Sequence, residues 1–145
     1  MNVQQLLEQK GSVVWSIDPN ASVYEAIKVM EEKQIGALAV VQHGKLAGII
    51  SERDYARKVV LKDRASRDTL VKEIMTSEVH CVKPERSIED CMVIMSKYNI
   101  RHLPVLHDVK LIGMVSVGDV VRAIIDEQKI QIEHLEHTIS WAESY

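Results

Sequence analysis

The chain contains the same segment twice. Residues 12–60 align with residues 77–125 without a gap, at an offset of 65 positions that carries Pro19 onto Pro84. A duplicated unit of this length excludes the usual solenoids, whose repeats are about 20–50 residues long. It predicts two similar units related by a pseudo-twofold axis, with clefts between equivalent surfaces. Polar residues that recur in both copies are therefore candidate ligand contacts, among them Ser51 and Ser116, and Asp54 and Asp119.

Composition narrows the class of protein. The 145 residues are 46% hydrophobic and 27% charged, which is typical of a soluble globular protein of one domain or two mutually dependent halves. A net charge of −3 argues against nucleic acid as a partner, and no apolar run is long enough to predict a membrane span. Cys81 and Cys91 are too few for a disulfide framework, so we expect free thiols in a cytoplasmic protein.

Each copy is predicted to fold as β-α-β-β-α. Ser22 and Glu25 have the spacing of a helix capping box, and His43-Gly44 separates two apolar runs as a hairpin turn does. The strands are expected at 13–17, 35–42 and 45–50 in the first copy, and at 79–82, 103–106 and 111–115 in the second. The predicted fold class is α/β, with two such repeats packed by pseudo-twofold symmetry and with N- and C-terminal helices added.

The repeats divide the chain into five segments. They are an N-terminal helix at 1–11, the first repeat at 12–61, a linker at 62–76, the second repeat at 77–125 and a C-terminal helix at 126–145. In the last helix Ile125, Ile132 and Ile139 are seven residues apart, and Leu135 falls near the intervening d position of a short heptad seam. This helix either folds back onto its own domain or pairs with a second chain. We favour a homodimer, because the repeats already use their own core residues.

One motif recurs at the end of the third strand of each copy. It reads Gly-x-x-Ser-x-x-Asp, from Gly48 to Asp54 and from Gly113 to Asp119. Glycine allows a ligand to approach the backbone, and the new helix N-terminus favours an anionic group. A carboxylate one turn into the helix can accept hydrogen bonds from ribose hydroxyls. The corner therefore suits a nucleotide, although the same pattern also serves as an ordinary helix cap.

These features together resemble a tandem pair of cystathionine β-synthase (CBS) domains, also called a Bateman module. The resemblance rests on the repeat, the two corners, the linker run at 71–76, and the runs at 51–58 and 101–105, which are similar to small stand-alone bacterial members. It covers residues 12–125. The family implies adenosine-containing ligands (AMP, ADP, ATP, NAD or S-adenosylmethionine) bound between the repeats, with no cofactor required. It also implies a dimer, and regulation rather than catalysis.

The resemblance assigns roles to individual residues. Asp54 and Asp119 would hold ribose hydroxyls, and Ser51 and Ser116 would contact ribose or phosphate. Ser16 and Cys81 match a strand position beside adenine where the family often has threonine, and cysteine departs from that pattern. The remaining assignments are apolar adenine contacts from Ile17 and Val82, and phosphate contacts from Arg101 and His102.

The two clefts are not expected to be equivalent. Arg101 and His102 correspond to the uncharged Gly36 and Ala37 of the first repeat. Conversely, the first repeat's final helix has basic side chains that the second repeat largely lacks. We hypothesise that a cleft combining Asp54 and Arg53 with Arg101 or His102 binds a phosphorylated nucleotide best. Alternatively, the basic residues form a solvated helix face paired with Glu52; they are Arg53, Arg57 and Lys58.

The sequence leaves three candidate functions. The leading prediction is a sensor of an adenine nucleotide or dinucleotide that acts through an unidentified regulated protein or through dimer rearrangement. The second is an interaction scaffold with empty clefts. An enzyme is disfavoured, because no general base is placed beside a scissile bond by any motif. His134 and His137 lie three residues apart, but without a third ligand at suitable spacing no metal site is predicted.

Overall fold

A computed structural model describes residues 1–143, with side chains through residue 139. It contains six helices and five strands in the described range. In chain order they are α1 (Val3–Lys10), β1 (Ser16–Ile17), α2 (Val23–Lys33), β2 (Ala37–Gln42), β3 (Lys45–Ser51), α3 (Glu52–Lys58), α4 (Val71–Ile74), α5 (Ile88–Tyr98), β4 (His102–His107), β5 (Lys110–Ser116) and α6 (Val117–Glu143), with a 3-10 turn at Val60–Lys62. This arrangement confirms the predicted α/β class.

Each repeat has a small sheet. In the first repeat β1 pairs parallel with β2, and β2 pairs antiparallel with β3. The second repeat has the equivalent antiparallel pair β4–β5. The strand predicted at 79–82 is wrong, because only Val82 pairs there, in a single parallel bridge with Val105. The strand predicted at 13–17 is likewise reduced to its last two residues.

The 65-residue offset extends to irregular features of the backbone. Both hairpins contain a register shift, between Val40 and Val41 and between Val105 and Leu106. Helices α2 and α5 both end at a left-handed residue, Gln34 and Asn99. Ser22 and Ser87 each accept a hydrogen bond from the third residue of the helix that follows. The two repeats therefore share turn chemistry as well as a hydrophobic pattern.

The helix that precedes each repeat packs against the other repeat. Val3, Leu6 and Leu7 of α1 belong to the second repeat's core, whereas Val71 and Ile74 of α4 belong to the first repeat's core. Their backbones dock in the same way. The amide of Val3 donates to the Arg86 carbonyl (2.8 Å), and the amide of Val71 donates to the Ala21 carbonyl (2.9 Å). This exchange joins the halves, because neither core is complete without a segment from outside its own repeat.

Helix α6 is one continuous helix across residue 126, where the repeat pattern ends. Val120 and Ala123 pack in the second core, and the α-amino group of Met1 lies 3.0 Å from Glu127 Oε1. All residues from 128 to 139 are exposed. The alternative in which this segment folds back onto its own domain is therefore wrong.

Candidate functional site

A cleft of about 270 Å³ lies between the two repeats. One wall comes from the first repeat, where Gly36 precedes β2 and Ala37 is its first residue. The facing wall comes from the second repeat and includes the Ser116–Asp119 corner. The full lining is Lys10, Val13, Trp15, Gln34, Ile35, Gly36, Ala37, His102, Met114, Ser116, Asp119 and Arg122.

Asp119 is the most heavily bonded side chain of this cleft. Its Oδ2 accepts from the Ser116 amide (2.9 Å) and from Lys10 Nζ (2.6 Å), and its Oδ1 accepts from Arg122 Nη2 (2.9 Å). Lys10 Nζ also donates to the Met114 carbonyl at 2.7 Å. The Asp119 amide donates in return to Ser116 Oγ (3.1 Å), so the corner is a helix cap as well.

The ionisation of the cleft follows from these contacts. Burial acts to raise the pKa of Asp119, but the hydrogen bonds from Lys10 and the Ser116 amide outweigh it and lower that pKa. The pKa of His102 is lowered, first by burial and then by the nearby charges of Lys10 and Arg101, against the opposing effect of Asp119. At neutral pH the cleft therefore holds one carboxylate, a neutral imidazole and two cationic side chains.

The first-repeat side of the cleft offers flat and open surface. The Trp15 indole is 41% exposed, and Lys33 Nζ lies 4.1 Å from its ring centroid. A Cβ on Gly36 would lie 3.5 Å from His102 Cε1, so glycine leaves that face of the imidazole uncovered. The cleft thus has an aromatic wall on one side and hydrogen-bonding groups on the other.

Asp54, at the equivalent corner of the first repeat, has different hydrogen-bond partners from Asp119. Asp54 Oδ2 accepts from the amide and hydroxyl of Ser51 (3.0 and 3.1 Å), and Oδ1 lies 3.0 Å from Lys58 Nζ. Lys58 also donates to the Ile74 carbonyl of α4 at 2.9 Å. Arg53 reaches the second repeat, where Nη1 donates to the Asn99 carbonyl at 2.9 Å. Lys58 and Arg53 thus bind other groups of the protein. Neither forms an ion pair with Glu52, which the alternative of a solvated helix face had predicted.

The structure brings together only part of the predicted site. His102, Ser116 and Asp119 line the cleft, and Asp54 does not. His102 accordingly lies with Asp119, and the combination of Asp54 and Arg53 with Arg101 stays a prediction. The other predicted residues are also absent from the lining: Ser16, Ile17, Ser51, Arg53, Arg57, Lys58, Cys81, Val82 and Arg101.

Sequence reasoning missed Lys10 and Trp15. Lys10 is 109 residues from Asp119 and belongs to α1, which lies outside the aligned repeat, so no motif connects the two. The repeat alignment did contain a sign of Trp15. The 65-residue offset aligns Trp15 with His80 and aligns Lys33 with Tyr98. His80 and Tyr98 stack at 3.8 Å between ring centroids, in the place of the Trp15–Lys33 contact. An aromatic ring recurring before β1 and before Cys81 was a usable clue.

Several other features of the chain bear on its chemistry. Both cysteines are free, and burial raises the pKa of Cys91 to about 11 and also raises that of Cys81, so neither is an activated thiolate. Among the described residues no group of three or more His, Cys, Asp or Glu side chains is placed to hold a metal ion. Within residues 1–143 no helix is both long and apolar enough to cross a bilayer.

The fold and the cleft define a class: two repeats that share an α-β-β-α unit, with a polar site between them. The chain belongs to the CBS domain family, whose profile matches residues 12–61 and 71–126. It is 44% identical over 130 residues to the Arabidopsis thaliana protein named CBS domain-containing protein CBSX3, mitochondrial. That alignment covers 86% of this chain and 63% of the Arabidopsis protein, so the chain spans less than two thirds of that relative.

Solved structures agree with this assignment. A protein with CBS domains from Burkholderia ambifaria MC40-6 superposes with a TM-score of 0.86 at 49% identity, covering 88% of this chain and 96% of that one. The CBS domain pair of protein MJ0100 superposes with a TM-score of 0.77 at 29% identity, covering 88% of this chain and 98% of that one. The MJ0100 structure is a complex with 5′-methylthioadenosine and S-adenosyl-L-methionine.

Proposed function

We propose that this protein is a regulatory module that binds an adenosine-containing ligand in the cleft around Asp119. One observation carries the proposal. A single cleft between the repeats brings together a carboxylate at a helix start, the cations Lys10 and Arg122, an imidazole and an indole. The MJ0100 domain pair, which has the same fold, holds adenosine compounds.

Each group suits one part of a nucleotide. Asp119 would accept hydrogen bonds from the ribose hydroxyls, because a carboxylate offers about four lone-pair sites and can exchange the Lys10 contact for them. Lys10, Arg122 and His102 would then face the phosphate, and the Trp15 ring offers a stacking surface for adenine. The cleft volume of about 270 Å³ is just below the range of about 300–1,000 Å³ that is usual for small-molecule sites. It favours AMP over ATP or the dinucleotide NAD.

The surface around Asp54 is the weaker candidate. Its carboxylate is held by Ser51 and Lys58, and Arg53 is already engaged with the Asn99 carbonyl. Arg101 is exposed two residues beyond Asn99. We therefore expect binding at Asp119 first, with any occupancy at Asp54 requiring a higher ligand concentration.

Calorimetry with AMP tests the assignment. Asp119→Ala removes the groups that accept from ribose, so we expect binding about 10- to 100-fold weaker than wild type, from the value of hydrogen bonds to charged groups. Asp54→Ala is the matched control, and it should bind within about threefold of wild type because Asp54 does not line the cleft. Thermal unfolding of both variants first establishes that they are folded. Equal binding by wild type and Asp119→Ala would contradict the assignment.

A second candidate function rests on the Lys10 contact. Lys10 already occupies Asp119 Oδ2 at 2.6 Å, as expected of a scaffold whose cleft is filled by its own side chain. A thermal-shift screen with AMP, ATP, NAD and S-adenosylmethionine separates the two functions, because a ligand that binds only the folded state raises its stability by mass action. No shift with any of the four would favour the scaffold.

The output of the sensor would pass through a homodimer or a separate regulated protein. A ligand shifts such an arrangement only by its different affinities for the two states. We propose binding without turnover, which conversion of ATP or NAD by the purified protein would contradict. The cytoplasmic location expected from the free cysteines stays a prediction, and the Arabidopsis relative is named a mitochondrial protein.

A further inference from the structure

Helix α6 continues beyond the second repeat with an exposed apolar seam. Glu127 pairs with the α-amino group of Met1, residues 128–139 beyond it are exposed, and the segment from 128 to 143 extends about 24 Å at the rise of an α-helix. Along one side the spacing alternates between four and three residues, which is the a/d pattern of a coiled coil. The seam consists of Val121, Ile125, Gln128, Ile132, Leu135 and Ile139.

The apolar members of the seam are exposed in the single chain. Ile132, Leu135 and Ile139 are each 54–60% exposed. An exposed apolar stripe of this length predicts a second helix packed against it. Ile130 is also exposed, but it points to another side of the helix and is not part of the seam.

We propose that α6 pairs antiparallel with α6 of a second copy of this chain. The inference deepens the proposed homodimer and rests on it, but it does not depend on nucleotide binding in the cleft. An antiparallel pair centred between residues 133 and 134 uses the projecting segment from end to end. Ile132 then packs on Leu135 of the second copy, and Ile139 packs on Gln128 of the second copy.

Charge decides the direction of the pair. Lys129 and Glu136 flank the same side of the seam, seven residues apart and opposite in sign. In the antiparallel arrangement Lys129 of each copy faces Glu136 of the other, which forms two ion pairs. In a parallel pair the same flank would face the uncharged Ile124 and Gln131. The complementary charges on this flank therefore favour a second copy of the chain as the partner and favour the antiparallel direction.

The first experiment measures the mass of the full chain by sedimentation equilibrium at micromolar concentration. Ile132→Glu places a charge in the seam and should convert the dimer to the 16.4 kDa monomer. Ile130→Glu makes the same change two residues away on the other side, and it should leave the dimer intact. A dimer that survives Ile132→Glu would overturn helix pairing and leave the homodimer in place, whereas a monomeric wild type would overturn both.

The second experiment tests the direction. Glu136→Lys replaces both ion pairs by like charges and should weaken dimerisation roughly 30-fold, because each of the two sites loses an attraction and gains a repulsion of similar size. The double variant Lys129→Glu with Glu136→Lys should restore wild-type affinity. Glu133→Lys, which changes charge away from the seam, is the control and should dimerise like wild type. A double variant no better than Glu136→Lys would overturn the antiparallel direction. None of these positions lines the cleft, so nucleotide binding reports separately on the proposed function.

Discussion

Substitution of Gly48 by alanine tests how the linker holds the first repeat. Gly48 is buried on β3, and an added Cβ would lie 2.7 Å from the Thr76 carbonyl oxygen and 2.9 Å from Met75 Sδ. The carbonyl cannot move freely, because Thr76 and Ile49 exchange backbone hydrogen bonds of 3.0 and 2.9 Å. The methyl group must therefore push the linker off the sheet edge.

The cost combines two effects. Overpacking a buried position costs about 1–3 kcal/mol, and weakening the Ile49–Thr76 hydrogen bonds adds about 1 kcal/mol. We expect Gly48→Ala to lower the free energy of unfolding by about 3 kcal/mol and the melting temperature by roughly 6–12 °C. Urea denaturation followed by circular dichroism measures the first quantity, and a thermal scan measures the second.

Gly113→Ala is the matched control in the other repeat. A Cβ there would lie 2.7 Å from Leu7 Cδ1 and Cδ2, which are the ends of a side chain that can rotate. We expect a smaller loss, of about 1–2 kcal/mol. If Gly48→Ala proves as stable as Gly113→Ala, the backbone contact does not hold the linker and the reasoning fails.

Two further predictions concern ionisation in the cleft. Lys10→Met should destabilise the protein by about 1 kcal/mol at pH 7, because the Lys10–Asp119 pair is partly exposed. The lowered pKa of Asp119 gives stability that is present above its unfolded pKa and is lost as pH falls through the folded pKa. Urea denaturation should therefore show the difference between the two proteins shrinking as pH falls below 3.8, the ordinary pKa of an aspartate, and a difference that stays constant there would refute the ion-pair explanation. Because the pKa of His102 is lowered in the folded protein, the unfolded chain binds a proton more readily as pH falls below 6.5, the ordinary pKa of histidine. Wild-type stability should therefore fall as pH is reduced from 6.5 to 5, and His102→Gln should flatten this fall; an unchanged slope would contradict it.

The repeat could be recognised from sequence because its signals are local. Caps, turns and strand alternation depend on neighbours within a few residues, so the hairpins form as predicted and Ser22 and Ser87 cap their helices. The capping box predicted at Ser22 is only half formed, because the Glu25 amide donates to Ser22 and the Glu25 side chain makes no return bond. The strand at 79–82 failed because strand formation depends on pairing with a distant edge, and only Val82 finds that edge. The order of helices and strands could therefore be predicted from the sequence, whereas the lengths of the strands could not.

The residues that line the cleft could be predicted from the sequence only in part. Ser116 and Asp119 belong to a recurring motif, and His102 belongs to a run that resembles the family, so all three could be proposed in advance. His102 lines the cleft of Asp119, and the alternative that Arg101 joins Asp54 and Arg53 stays a prediction. The repeat alignment could not decide between them, because it does not say which surface of one repeat faces which surface of the other. Lys10 reaches Asp119 only because α1 packs on the second repeat rather than on its own.

The sequence by itself determined the duplication, the α/β class and the two Ser-x-x-Asp corners, since these follow from short-range patterns in each copy. Tertiary structure decided that the two corners differ. The exchange of α1 and α4 between the repeats delivers Lys10 to Asp119 and the α4 carbonyl of Ile74 to Lys58. Long-range packing is chosen by complementarity of buried surfaces rather than by chain order, so identical motifs acquire different cations and only Asp119 lies in the described cleft.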